Sequence, residues 1–238
     1  MSRPEEFLKT ICKDKRTLEM FRYLVNNSFL RVVNYHNTNL IDKDRFEDEI
    51  KYFSENFVPV SMDDLDTYFE TRVWPYDKPG IILGIFEGFR NHYDILLPIL
   101  NKYKMRSWFY IPSFFLDIPV AQQLDFTKTH ELTITCPKMY EDGRYALTWD
   151  ELREIAKDHE ICCHTGTHYQ ITTSTPDDLM EYEIVLAKKR LEDEIGREVK
   201  VFCWLYAEEY SFNKKAHKHL AKSGFTYVMS NLKLEKIK

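Results

Sequence analysis

Seven short runs of almost unbroken apolar character recur along the chain, and most are separated by stretches with helical periodicity. They are Arg31–His36, Phe57–Val60, Ile81–Phe86, Ser107–Ile111, Glu160–His164, Lys200–Leu205 and Thr226–Met229. Runs of this kind, rich in β-branched and aromatic residues, suit strands covered on both faces, which is the condition of a parallel sheet flanked by helices. The connecting stretches carry helix signals. Phe46, Ile50, Phe53 and Phe57 share one helical face. Thr148-Trp-Asp-Glu151 is a capping box ahead of Leu152 and Ile155. Thr175 as N-cap and Pro176 in the first turn open a helix bearing Met180, Ile184, Ala187, Leu191 and Ile195, which Gly196 ends. Tyr93, Leu96, Leu97, Leu100 and Tyr103 line another, in which Pro98 removes a backbone hydrogen bond and predicts a kink. A last helix runs from Asn213 to Gly224. Such an α/β chain closes into a (β/α) barrel or forms an open doubly wound sheet, and periodicity does not separate the two.

The 238 residues suit one barrel-sized domain, and 44% apolar content supplies its core. Residues 29–238 are read as that domain and residues 1–28 as a helical extension before it. Residues 112–147 form a long stretch of mixed character, a length that in a loop is often functional. Net charge is −5, with 33 basic and 38 acidic residues interspersed, so no basic patch points to nucleic acid. The opening residues are polar without an apolar core of a secretory signal, and no apolar run approaches the roughly 20 residues that span a bilayer. The expectation is a cytoplasmic chain without a membrane span, whose five cysteines (Cys12, Cys136, Cys162, Cys163 and Cys203) stay reduced.

The sharpest local feature is His164-Thr-Gly-Thr-His168, which begins where an apolar run ends. Two imidazoles four residues apart, leaving a strand through small residues, can converge on a cation, and a carboxylate would complete the set. The same five residues also read as two loop histidines without a metal. A second feature is the run Ile81–Phe86 passing into Glu87-Gly88, with a helix after it. Glu87 then lies at the mouth of the sheet, or acts as a carboxylate stabilising a helix N-terminus.

Taken together, these segments resemble the polysaccharide deacetylases, carbohydrate esterase family 4. The stretch Ile81 to Ile111 is similar to that family's first motif region, where a strand ends in Thr-Phe-Asp-Asp-Gly and the next helix holds a Leu-Pro-Ile-Leu run, here Leu97-Pro98-Ile99-Leu100 before Lys104 and Trp108-Phe109. Leu147 to Ile155, His159 and His164-Thr-Gly-Thr-His168 resemble the second, Asn34-Tyr35-His36 the Tyr-His at the end of the first strand, and Phe202 to Tyr210 with Gly224-Phe225 the third. The resemblance spans roughly residues 30–230 in the family's order. It implies a distorted (β/α) barrel of about seven parallel strands, and a divalent metal, zinc favoured, on Glu87, His164 and His168. It also implies a carbohydrate or sugar-intermediate ligand contacting Tyr35, Trp204 and Tyr206, and removal of an N-acetyl group. The chain departs from the family at the chemistry. Glu87 stands where the family has its metal-binding aspartate and Phe86 where it has its catalytic base. Cys203-Trp-Leu-Tyr-Ala207 replaces the usual Arg-Pro-Pro-Tyr-Gly, and no Leu-x-His motif follows Met229. His36, at a neighbouring strand end, reads either as a substitute base or as a satisfied core histidine. The competing reading is a non-catalytic carbohydrate-binding or polysaccharide-biosynthesis factor, and a third is a metal-free hydrolase of small amides or cyclic ureides.

Overall fold

The computed structural model describes residues 31–206, 214–230 and 234–238. The expected extension over 1–28 and Cys12 lie outside the described residues. The elements alternate as the apolar runs anticipate: β1 Arg31–Tyr35, α1 Lys43–Asn56, β2 Val58–Pro59, α2 Met62–Thr71, β3 Gly80–Phe86, α3 Leu97–Lys102, β4 Trp108–Ile111, α4 Val120–Thr129, α5 Trp149–Ile155, β5 Glu160–Cys163, α6 Asp177–Met180, α7 Ala187–Ile195, β6 Val201–Cys203, α8 Lys214–Ser223, β7 Tyr227–Met229 and β8 Leu234–Lys236. The strands form one sheet in the order β1-β3-β4-β5-β6-β7-β8, with β2 on the first two residues of β3. Every pairing is parallel except β7 with β8. This is the curled, distorted (β/α) barrel with seven parallel strands, to which β8 adds an antiparallel edge. Leu-Glu-Lys is too short and too polar to register as an apolar run. Among the described residues β1 and β8 do not pair, so the curl is open at that seam.

Side chains alternate between two cores because a strand turns successive residues to opposite faces. Ile81, Leu83, Ile85, Phe109, Ile111, Cys163, Phe202 and Val228 pack against the helices. Ile82, Phe86, Trp108, Tyr110, Cys162, Val201, Cys203, Tyr227 and Met229 fill the inside of the curl with Leu65 from α2. Helix α2 closes the end where the strands begin. Its N-cap Ser61 forms a capping box with Asp64, Met62 N–H donates to Glu160, and Asp66 accepts from Lys200 and Tyr227. The opposite end, where the strands finish, is left for a site.

Two helical expectations change in detail. Pro98 does not lie in the interior of α3. It sits in the first turn, and a π-type turn over His92–Leu96 precedes it, with Leu97 N–H bonding back to His92. That wider turn absorbs the missing donor. Thr175 does not cap α6; its hydroxyl accepts from Thr172 N–H inside a local turn, and Pro176 occupies the boundary. The capping box at Thr148 and the left-handed Gly196 stop, φ 69°, are as the sequence predicts. Among the described residues no helix is long and apolar enough to cross a membrane.

Candidate active site

The strand ends of β1, β3, β5 and β6 converge. Strand β3 leaves the sheet through two successive left-handed residues, Glu87 at φ 80° and Gly88 at φ 65°. The Glu87 N–H still donates to Tyr110 O, at 2.9 Å, so the turn hangs from the neighbouring strand. A non-glycine residue in this region stores strain that the surroundings must hold. The turn tucks the Glu87 side chain inward, where it is 6% exposed. Its Oε2 is buried without a hydrogen-bond partner, and Oε1 stands 3.8 Å from His168 Nε2. Burial pushes the carboxyl up to about 8.

His164 follows the last residue of β5, its N–H on Ile111 O. Its Nδ1 lies 3.0 Å from Cys203 O, and Nδ1 of His168 lies 2.8 Å from His130 O. A carbonyl only accepts, so Nδ1 carries the proton in both rings and Nε2 keeps its lone pair. The two rings stand 5.1 Å apart. Burial holds His164 well below the usual imidazole range, and burial likewise brings His168 down to about 4. Both are neutral near pH 7, the form that ligates metals.

Phe86 stands beside these groups. Its ring is layered between His36 (centroids 5.0 Å, 17°) and Tyr110 (4.4 Å, 16°), and meets His164 edge-on. Gly84 permits this, since a Cβ there would meet the Phe86 ring at 2.7 Å. His36 therefore rests on an apolar platform, and burial lowers its pKa. The His36 carbonyl accepts from Nε2 of the fully buried His92. Outside Phe86, a groove of about 350 Å³ runs past Glu87, His36, Asn37, Arg45, Thr133 and Thr135.

The structure brings Glu87, His36, His164 and His168 together. The three residues expected to touch sugar divide. Tyr35 and Trp204 turn their rings to the helix side, because alternation puts them on the faces of Val33 and Phe202. Tyr35 packs on Phe46 and donates to Glu49 Oε2 at 2.6 Å, reaching the groove only at its wall. Trp204, 4% exposed, meets Phe202 edge-on. Counting parity along β1 and β6 from the sequence would have given both placements. Tyr206 is 45% exposed, left-handed at φ 60°, and its hydroxyl donates to Glu131.

Sequence reasoning marked residues 112–147 without choosing among them. His130 supplies the carbonyl behind His168, Glu131 holds Tyr206, and Thr133 and Thr135 line the groove. No periodicity marks these residues, because the segment between α4 and the short turn at Pro137–Met139 is irregular.

The donor set suits a divalent ion of the zinc type: one carboxylate and two neutral imidazoles, each imidazole oriented by a carbonyl behind it. The unpartnered Glu87 Oε2 is the atom such an ion would satisfy. Among the described residues no three His, Cys, Asp or Glu side chains are already gathered tightly enough to enclose one.

The polysaccharide deacetylase family model matches residues 77–228. A search of curated proteins finds no significant match. Among solved structures, a de-N-acetylase from Aggregatibacter actinomycetemcomitans superposes with a TM-score of 0.61 at 18% identity, covering 89% of each chain. IcaB from Ammonifex degensii gives 0.61 at 13%, covering 85% of this chain and 82% of its own. The Streptococcus pyogenes deacetylase PplD in complex with acetate gives 0.59 at 12%, covering 84% and 80%. At these identities the likeness is one of fold.

Proposed function

The chain belongs to the polysaccharide deacetylase family, and from that premise we propose that it binds an N-acetylated sugar at the Glu87–His164–His168 edge and hydrolyses the amide slowly. The observation that carries this reading is the buried Glu87 carboxyl, one oxygen unpartnered, beside two imidazoles whose Nδ1 atoms are fixed by carbonyls. A divalent ion, zinc by the nature of the donors, would be held by Glu87 and the two Nε2 atoms, and when bound supplies carbonyl polarisation and a more acidic water. The protein's own part is orientation and proton handling. The reaction adds water to the acetyl carbon and breaks the C–N bond, giving acetate and an amine. Position 86, as phenylalanine, cannot take the water's proton. His36, neutral and stacked on that ring, is the substitute acceptor, and the proton it takes from water passes to the nitrogen that leaves as the amine. Loss of a positioned carboxylate base typically removes about 10²–10⁴-fold in rate, hence the slow turnover.

The layered His36–Phe86–Tyr110 rings favour a second reading, a carbohydrate-binding protein without turnover, since they give an apolar floor where a base would stand. One experiment separates the two: incubate the zinc-loaded protein with N-acetylglucosamine oligomers, assay acetate, and titrate the same oligomers by calorimetry. Acetate that disappears in His168→Ala supports hydrolysis. Heat of binding without acetate supports the second reading, and neither signal would end both.

A further inference from the structure

Glu183 is a buried carboxylate that no catalytic step uses. It is 1% exposed, lies in the middle of a π-type turn, Glu181–Leu186, between α6 and α7, and points at the segment joining the two histidines. Its Oε2 accepts from Gly166 N–H and Thr167 N–H, both at 2.8 Å, and Oε1 accepts from the Thr167 hydroxyl at 2.7 Å. Those are the central residues of the loop His164 to His168. The loop is unusual in its backbone: Thr165 and His168 are both left-handed, at φ 64° and 63°. Two such non-glycine residues within four positions persist only where outside contacts impose them. Glu183 supplies three of those contacts from one side chain. From the other side, Thr165 O accepts from Ser113 N–H and Gly166 O from Phe114 N–H. Gly166 leaves no slack, since a Cβ there would stand 2.6 Å from the Phe114 ring and 3.2 Å from Glu183 Oε2. π-type turns often mark functional places in helices. Here the wider turn lies where Glu183 meets a loop 16 or 17 residues earlier.

We propose that Glu183 is a positioning residue for the proposed ion site: it clamps the Gly166–Thr167 backbone and so fixes the spacing and tilt of the two imidazoles. This rests on the ligand role of His164 and His168 given above, but its geometric core can be read without metal. A clamp made of acceptors rather than of charge survives in Glu183→Gln, whose amide oxygen can take both N–H groups while its NH₂ donates to the Thr167 hydroxyl.

The test combines the imidazole ¹⁵N–¹H spectrum of metal-free protein with zinc affinity from competition against a chromophoric chelator. It is run on wild type, Glu183→Gln, Glu183→Ala and the milder Thr167→Val, which removes one of the three bonds. The clamp predicts protected Nδ1–H signals for both histidines in wild type and Glu183→Gln, their loss or broadening in Glu183→Ala, and zinc affinity within about threefold for Gln but about 10–100-fold weaker for Ala. Thr167→Val should fall between. Should Glu183→Ala fail to fold, Gln and Val still decide. Unmoved Nδ1–H signals in Thr167→Val and Glu183→Ala, or a Gln variant as impaired as Ala, would overturn the clamp. Absence of zinc binding by wild type, with the Nδ1–H pattern as stated, would overturn the ion site and leave the clamp standing.

Discussion

Phe86 and Glu87 are adjacent and carry opposite consequences. In the proposed site the first offers no ionisable group to take a proton, and the second brings in a buried carboxyl with one oxygen unpartnered. Phe86→Asp should raise acetate release by about 10²–10⁴-fold if the remaining machinery is intact. The same substitution puts an unpaired carboxyl between His36 and Tyr110, so it should also lower stability by about 1–3 kcal/mol, read from urea unfolding. A restored rate of zero at full folding would show that more than the base has been lost. Glu87 makes a prediction of its own. In metal-free protein its carboxyl titrates near 8 because it is buried, against 4.5 when exposed, so the native state holds a proton that the unfolded chain releases. Stability from this group therefore falls as pH rises from 4.5 towards 8. In chelator-treated protein, Glu87→Gln should flatten that fall and raise the melting temperature at pH 8. An unchanged profile would show that Glu87 is not buried as described. His168 works in the opposite direction. Its folded value, near 4, lies below the exposed one, so its share of stability is present above pH 6.5 and is lost as pH falls through 4.

Elements were more legible than the contacts that link them. All seven apolar runs became strands, because continuous β-branched and aromatic residues have no polar face to give to water. The capping box at Thr148 was equally plain, since its donors and acceptors lie three residues apart and depend on nothing remote. Thr148→Ala should cost about 1 kcal/mol, or roughly 2–4 °C in melting temperature, with no effect on zinc affinity. What stayed illegible involved partners far along the chain. The π-type turns at His92–Leu96 and Glu181–Leu186 have no local signature beyond Pro98 in the first case. Glu183 reads in sequence as one more acid on an amphipathic helix, and only folding aligns it with Gly166. Glu131 and His130 escaped notice for the same reason. Tyr35 and Trp204 face the helices because the period of two in a strand sets them with Val33 and Phe202. Strand β8 lacked the apolar run that betrayed the others.

The ties made by α2 and the proposed site lie at opposite ends of the curled sheet. At the strand beginnings, α2 is tied in by Asp66, which holds Lys200 and Tyr227. At the strand finishes lie Glu87, His36, His164 and His168. Asp66→Ala should therefore destabilise the fold by about 1–3 kcal/mol through the unpaired Tyr227 hydroxyl, while zinc affinity stays at the wild-type value. A matching loss of zinc affinity would show the two ends to be coupled. The family and the barrel could be read from motif order alone, but the activity could not, because the fold carries many functions and the departures fall on the positions to which the resemblance assigns the reaction. The most direct measurement is an anomalous difference map at the zinc edge from crystals of the zinc-loaded protein. One strong peak is expected within about 2.0–2.2 Å of Glu87 and of the Nε2 atoms of His164 and His168. A map with no peak there, in protein that binds zinc elsewhere or not at all, would contradict the account.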